Sequence, residues 1–102
     1  MNNTLTKEEI LATLREQKDF LHEKFFVKRI GIFGSFARNE ATEKSDIDFL
    51  VSFEEGNLDY YLIRRNLSDF LSNKFKRSVD VALENAIKPY YKDVVFKQAV
   101  YA

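Results

Sequence analysis

Along the first quarter of the chain, Ile10, Leu14, Leu21 and Phe25 recur at helical spacing on an otherwise charged segment. Thr6 and Glu9 have the spacing of a capping box, with Leu5 and Ile10 at the staple positions beside it. The pattern therefore predicts one helix of about 20 residues from there. V-K-R-I-G-I-F then predicts a short strand bounded by Gly34, and F-A-R-N-E-A a helical turn that the Ser35 hydroxyl can cap. T-E-K-S is a polar loop, and D-I-D-F-L-V-S-F a second strand. After the turn E-E-G-N, a second helix from about Leu58 carries Leu62, Ile63, Leu67, Phe70, Leu71 and Phe75 as its apolar stripe. K-R-S leads into a third strand, S-V-D-V-A-L-E, with Val79, Val81 and Leu83 on one face. Pro89 suits the first position of a last helix, P-Y-Y-K-D-V-V-F-K-Q, and V-Y-A adds a little edge strand. The order α-β-α-β-α-β-α predicts an α+β (α/β) fold in a single domain over residues 1–102, a sheet with its helices laid on it. The second helix is long enough for a crossover, but the pairing direction of the strands stays open.

The second strand contradicts local propensity. Asp46 and Asp48 flank Ile47 just ahead of Phe49, Leu50 and Val51, where aspartate is a poor strand former. Such conflicts concentrate at functional sites. Alternation points both carboxylates to one side, with Ile47 packed on the other. Asp80 alternates with Val79 and Val81 in the same way on the third strand. If those strands are neighbours, three carboxylates meet, a donor set for hard cations such as Mg²⁺ and for a pair of metals in phosphoryl transfer. Gly34 lets backbone approach a ligand closely, and the free N–H groups of the next turn with Ser35 can cradle phosphate oxygens. Taken singly, each feature has a plainer reading: a turn at Gly34-Ser35, a chance D-x-D, an Asp80 paired with Lys76 or Arg77. Their order on successive strands points to one metal–phosphate site.

Composition narrows the alternatives. With 102 residues, 45% hydrophobic and 31% charged, the chain has enough for one core and no second. Sixteen basic and sixteen acidic residues balance, so nucleic-acid binding through bulk charge is not expected. The absence of cysteine removes disulfides, thiolate metal sites and thiol nucleophiles. The start M-N-N-T-L-T-K-E-E lacks the apolar core of a signal peptide and no apolar run reaches membrane length, so a cytoplasmic location with no membrane partner is expected. His22 reads as a solvated helix residue. Lys74, Lys76 and Arg77 read as a solvated helix end complementing its dipole, and the pairs Tyr60-Tyr61 and Tyr90-Tyr91 as packing or a partner-facing surface.

The stretch G-S-F-A-R-N-E-A-T-E-K-S-D-I-D resembles the signature of the DNA polymerase β-like nucleotidyltransferase superfamily: Gly-Ser, ten residues, Asp-x-Asp. Together with S-V-D-V and the closing I-K-P-Y-Y-K-D-V-V-F-K-Q-A-V-Y, it is similar to the minimal nucleotidyltransferases (MNT), antitoxins paired with HEPN-domain toxins. The resemblance implies a polymerase β palm-like fold, a small mixed sheet flanked by helices. It further implies that Gly34 and Ser35 bind the β and γ phosphates of ATP and that Asp46 and Asp48 hold two Mg²⁺ ions. Asp80 would complete the inner metal site and help take the proton from the attacking hydroxyl. Arg38 stands where the family can touch phosphate, although it can equally pair with a nearby Glu. Asn39 replaces a family glycine and tolerates the left-handed backbone. The implied reaction is transfer of AMP from ATP to a tyrosine of a HEPN toxin, silencing its RNase activity. A non-catalytic antitoxin acting by contact and an enzyme modifying a small molecule are the alternatives. Little chain follows Asp80 to form an acceptor pocket, so a second chain, the toxin or another copy in a homo-oligomer, is expected to complete the site.

Overall fold

The computed structural model describes residues 5–102. The first four residues of the polar start lie outside the described residues. Its element order is α1 (Lys7–Glu16), α2 (Lys18–Phe25), β1 (Val27–Phe33), α3 (Gly34–Ala37), β2 (Ile47–Phe53) and α4 (Tyr60–Phe75). β3 (Val79–Leu83), a 3₁₀ turn (Glu84–Ala86), α5 (Pro89–Gln98) and β4 (Val100–Tyr101) complete it. The capping box forms as expected: Glu9 N–H donates to the Thr6 hydroxyl at 3.1 Å and Thr6 N–H to the Glu9 carboxylate at 3.0 Å. The long first helix does not. It breaks at Gln17 into α1 and α2, while Ile10, Leu14, Leu21 and Phe25 all remain buried. Glutamine is a good helix former, so no local propensity marks the break. α4 starts at Tyr60, where the Asp59 side chain accepts from Leu62 N–H at 3.1 Å.

Four strands form one sheet in the order β3-β2-β1-β4. β1 pairs antiparallel with both β2 and β4, and β2 pairs parallel with β3. The sheet is therefore mixed, with α4 as the crossover that a parallel pair requires. Alternation sorts the side chains. Ile30, Ile32, Ile47, Phe49, Val51 and Val81 share a buried face and join Ile10, Leu14, Leu21, Leu67 and Leu71 in the core. The Phe49 and Phe75 rings, 5.9 Å apart, fix α4 on that side.

The opposite face carries Arg29, Gly31 and Phe33 on β1, Asp48, Leu50 and Ser52 on β2, and Asp80 and Ala82 on β3, in register. Leu62, expected in the core stripe, is 48% exposed. It sits in the first turn of α4, whose buried anchors, Leu67 and Leu71, come later in the helix. α5 buries no residue fully and leaves Tyr90, Tyr91, Val94 and Phe96 exposed. Among the described residues no helix is long and apolar enough to cross a membrane.

Candidate active site

The acids gather at one end of the sheet's second face. β2 begins at Ile47, so Asp46 stands one residue before it and Asp48 at its second position. Asp48 is flanked in register by Phe33 of β1 on one side and Asp80 of β3 on the other. Paired residues share a face, so Asp48 and Asp80 point the same way, and the adjacency left open by the sequence is present. Asp46 and Asp80 are exposed while Asp48 is half-buried. Burial pushes the Asp48 carboxyl above its ordinary pKa, the charges of Asp80 and Asp46 add to that, and Arg38 opposes it. Like charges nearby disfavour ionisation, so Asp80 and Asp46 both act on Asp48. Among the described residues, no group of three or more His, Cys, Asp or Glu side chains is placed to hold a metal ion.

Gly34 follows Phe33 directly and so faces Asp48. Its φ is +72°, in the region that favours glycine, and a Cβ there would collide with Asp48 Oδ2 and stand 3.1 Å from Cγ. Backbone and carboxylate thus meet with no side chain between them. Ser35 lies inside the first turn of α3 and does not cap it: Phe33 occupies the N-cap and no side chain bonds there. The reason is geometric, since the turn already begins at Gly34. Asn39 adopts φ 60°, so the turn survives without a glycine. Arg38 donates from Nε to Glu40 at 3.1 Å and from Nη1 to the Gln98 side-chain oxygen at 3.1 Å, tying the α3 turn to the end of α5. Glu40 and Gln98 thus engage the Arg38 guanidinium.

One residue important to this geometry departs from the sequence expectation. Arg77 is no solvated helix end. Its Nη1 donates to the carbonyls of Thr42, Glu43 and Ser45 at 3.0, 3.1 and 2.9 Å, and its guanidinium lies 5.2 Å from the Phe36 ring centroid. A buried Phe36 below and three carbonyls around it fix the loop that delivers Asp46. Backbone carbonyls from a distant loop leave no signal in sequence spacing. His22 is exposed as expected and lies 3.3 Å from Glu54.

A sequence profile of the nucleotidyltransferase domain matches residues 14–102. The chain belongs to that family. Among curated relatives of this nucleotidyltransferase, a Methanocaldococcus jannaschii protein, provisionally named a protein adenylyltransferase, is 47% identical over 97 residues, 94% of this chain and 97% of its own. The protein adenylyltransferase MntA of Thermococcus cleftensis is 38% identical over 97 residues, 95% of this chain and 96% of its own. Among solved structures, a provisionally assigned minimal nucleotidyltransferase has a TM-score of 0.76 at 32% identity, covering 97% of this chain and 98% of that one. The four-stranded mixed sheet with its helices is the minimal nucleotidyltransferase fold. A complex of a tri-AMPylated Shewanella oneidensis HEPN toxin with an MNT antitoxin includes a chain of the same fold. That match has a TM-score of 0.60 at 17% identity and covers 89% of this chain and 70% of that one.

Proposed function

We propose that this nucleotidyltransferase moves AMP from ATP to a hydroxyl, a tyrosine, of a partner HEPN toxin and thereby acts as its antitoxin. The observation that carries the reading is the placement of Asp48, in register with Asp80 on one side and against the bare backbone of Gly34 on the other. Family membership supplies the reaction class, and the named relatives support protein as the acceptor.

Asp46, Asp48 and Asp80 are the residues that would hold two Mg²⁺ ions: hard oxygen donors, with Asp48 already under the repulsion that a cation relieves. Bound there, the ions would supply positive charge to the triphosphate and to the attacking oxygen. Gly34 admits the β and γ phosphates close to its backbone, and Ser35 offers its hydroxyl to them. Asp80, the more exposed partner of the register pair, accepts the proton of the acceptor hydroxyl. A phenol with an ordinary pKa near 10 needs that help at neutral pH. Arg38 adds positive charge near Asp48 from its tether on Glu40 and Gln98. The protein contributes mainly position and charge, as phosphoryl chemistry requires.

The test is intact-mass spectrometry of the product of the neighbouring reading frame, incubated with ATP, Mg²⁺ and either the wild type or the Asp46→Asn, Asp48→Asn double variant. Mass gains in whole AMP units with the wild type alone are expected. A complex that forms and neutralises the toxin with no mass gain would replace transfer with neutralisation by contact.

A further inference from the structure

β3 is an edge strand. Ile47 N–H donates to the Ser78 carbonyl at 3.1 Å, and the parallel ladder continues from there, so Ser78, Asp80 and Ala82 turn their backbone groups toward β2. Val79 and Val81 turn theirs outward. Arg64 Nε donates to the Val81 carbonyl at 2.7 Å, which leaves the outward groups of Val79 for another partner. Along this edge runs a groove of about 220 Å³ lined by Tyr61, Arg64, Arg65 and Asp69 of α4 together with Asp80. Among the described residues, neither Arg64 nor Arg65 has a carboxylate within ion-pair distance. Asp69 and Asp80 line the same groove, so it is not cationic throughout, but the two guanidinium groups on α4, outside any ion pair and beside the open Val79 edge, offer a place for acidic side chains of an extended chain.

We infer that the β3 edge docks the acceptor: an extended protein segment with acidic residues on both sides of its acceptor hydroxyl adds to the sheet beside Val79. The inference rests on the AMP-transfer reading. Its geometry follows from the pleat. In an antiparallel addition, a residue that exchanges both backbone bonds with Val79 leaves its neighbour opposite Asp80 in a non-hydrogen-bonded pair, where Cα atoms lie about 4.5 Å apart and side chains approach most closely. That neighbour shares the face of Asp80 and Asp48. Its hydroxyl oxygen attacks the α-phosphorus of ATP, the bond to the β-phosphate oxygen breaks, pyrophosphate leaves, and the proton passes to the Asp80 carboxylate. The residues on either side project to the opposite face, toward Arg64 and Arg65, and acidic side chains there complete the charge match.

The probe is a fluorescein-labelled peptide, Val-Glu-Tyr-Glu-Val, compared with its Lys-flanked counterpart and with a copy N-methylated at the backbone nitrogens. Anisotropy without ATP reads docking, mass spectrometry with ATP and Mg²⁺ reads transfer, and pyrophosphate release reads turnover of ATP. Binding and modification of the Glu-flanked peptide are expected, about tenfold weaker after N-methylation or with Arg65→Glu. Arg65→Glu should also shift preference toward the Lys-flanked peptide, an outcome that a merely unfolded variant cannot give. Equal binding of all three peptides would overturn the docking site, and the transfer reading would stand if pyrophosphate release still required the aspartates. A Glu-flanked peptide that docks selectively but is never modified would support the site and count against protein AMP transfer.

Discussion

Two charged clusters share one face of the sheet and differ in how their charges are met. At the far end from the aspartates, Glu84 accepts from Arg29 Nε at 3.0 Å and from the Tyr101 hydroxyl at 2.9 Å, and the Arg29 guanidinium lies 5.3 Å from the Tyr101 ring centroid. One acid, one cation and one phenol join β1, the turn after β3, and β4. The Glu84 side chain is 11% exposed, so the cluster is a satisfied, partly buried lock. Gly31 permits it, because a Cβ there would come within 3.0 Å of the Tyr101 ring. At the aspartate end, the acids repel one another and Arg38, the cation that eases Asp48, is tied to Glu40 and Gln98. The lesson is that charge resolved inside the chain marks architecture, whereas like charge held together against its own repulsion marks a place for a ligand. Substitutions in the two clusters should therefore have opposite signatures.

The largest expected effect is on activity at the aspartate end. Asp46→Asn with Asp48→Asn should lower AMP transfer by at least about 10³-fold, the scale of lost charge stabilisation at a phosphoryl site, while thermal unfolding stays cooperative. Gly34→Ala should do comparable damage, because a methyl group there meets both a positive φ and the Asp48 carboxylate. Steady-state assays with circular dichroism melts check both. If Gly34→Ala keeps full activity, the close approach of backbone and carboxylate has no catalytic use.

At the lock the order reverses. Glu84→Gln should cost about 1–3 kcal/mol of stability by leaving Arg29 and the phenol poorly matched, with kcat changed less than about twofold. Urea unfolding and the same activity assay separate the two quantities. Arg77→Ala lies between the clusters in kind. Freeing the carbonyls of Thr42, Glu43 and Ser45 should cost about 1–2 kcal/mol and also reduce transfer, because the loop that delivers Asp46 loosens.

The smallest effects are in pH dependence, and both run the same way, with stability lost as pH rises. The Asp48 pKa is raised in the fold. Its contribution to stability is therefore full below the unfolded value near 3.9 and is lost as pH rises through the raised native value. Without bound ligand, Asp48→Asn should melt roughly 2–5 °C above wild type at neutral pH, a modest gain because the group is half-exposed, and the gap should close in acid. Burial and then Glu84 push the Tyr101 phenol up to about 12. That stabilisation is complete below about 10 and disappears as pH rises through about 12. Tyr101→Phe should thus lose the alkaline step in a pH-resolved melt while keeping neutral-pH activity.

Much of this was legible in the sequence because the signals are local. The capping box at Thr6, the stripe of Leu67 and Leu71, Pro89 at the head of α5 and the bounds of β1 depend on neighbours within a few positions. The clash between Asp48 and its strand context marked the site for the same reason. What escaped depends on contacts far apart in the chain. Arg77 reaches a loop more than thirty residues away, and Glu84 crosses to Arg29 and Tyr101. The parallel pairing that puts Asp80 beside Asp48 is a property of the sheet. The preference of serine for cap positions points to Ser35, but the turn starts one residue earlier at Gly34.

The central claim, that the repelling aspartates and Gly34 form one metal–triphosphate site, is tested most directly by calorimetric titration of a non-hydrolysable ATP analogue with and without Mg²⁺. The titration is run into wild type, Glu84→Gln and the Asp46→Asn, Asp48→Asn double variant. Mg²⁺-dependent binding to wild type and Glu84→Gln, weakened at least about tenfold in the double variant, is the predicted result. Equal affinity in all three proteins, or binding indifferent to Mg²⁺, would contradict it.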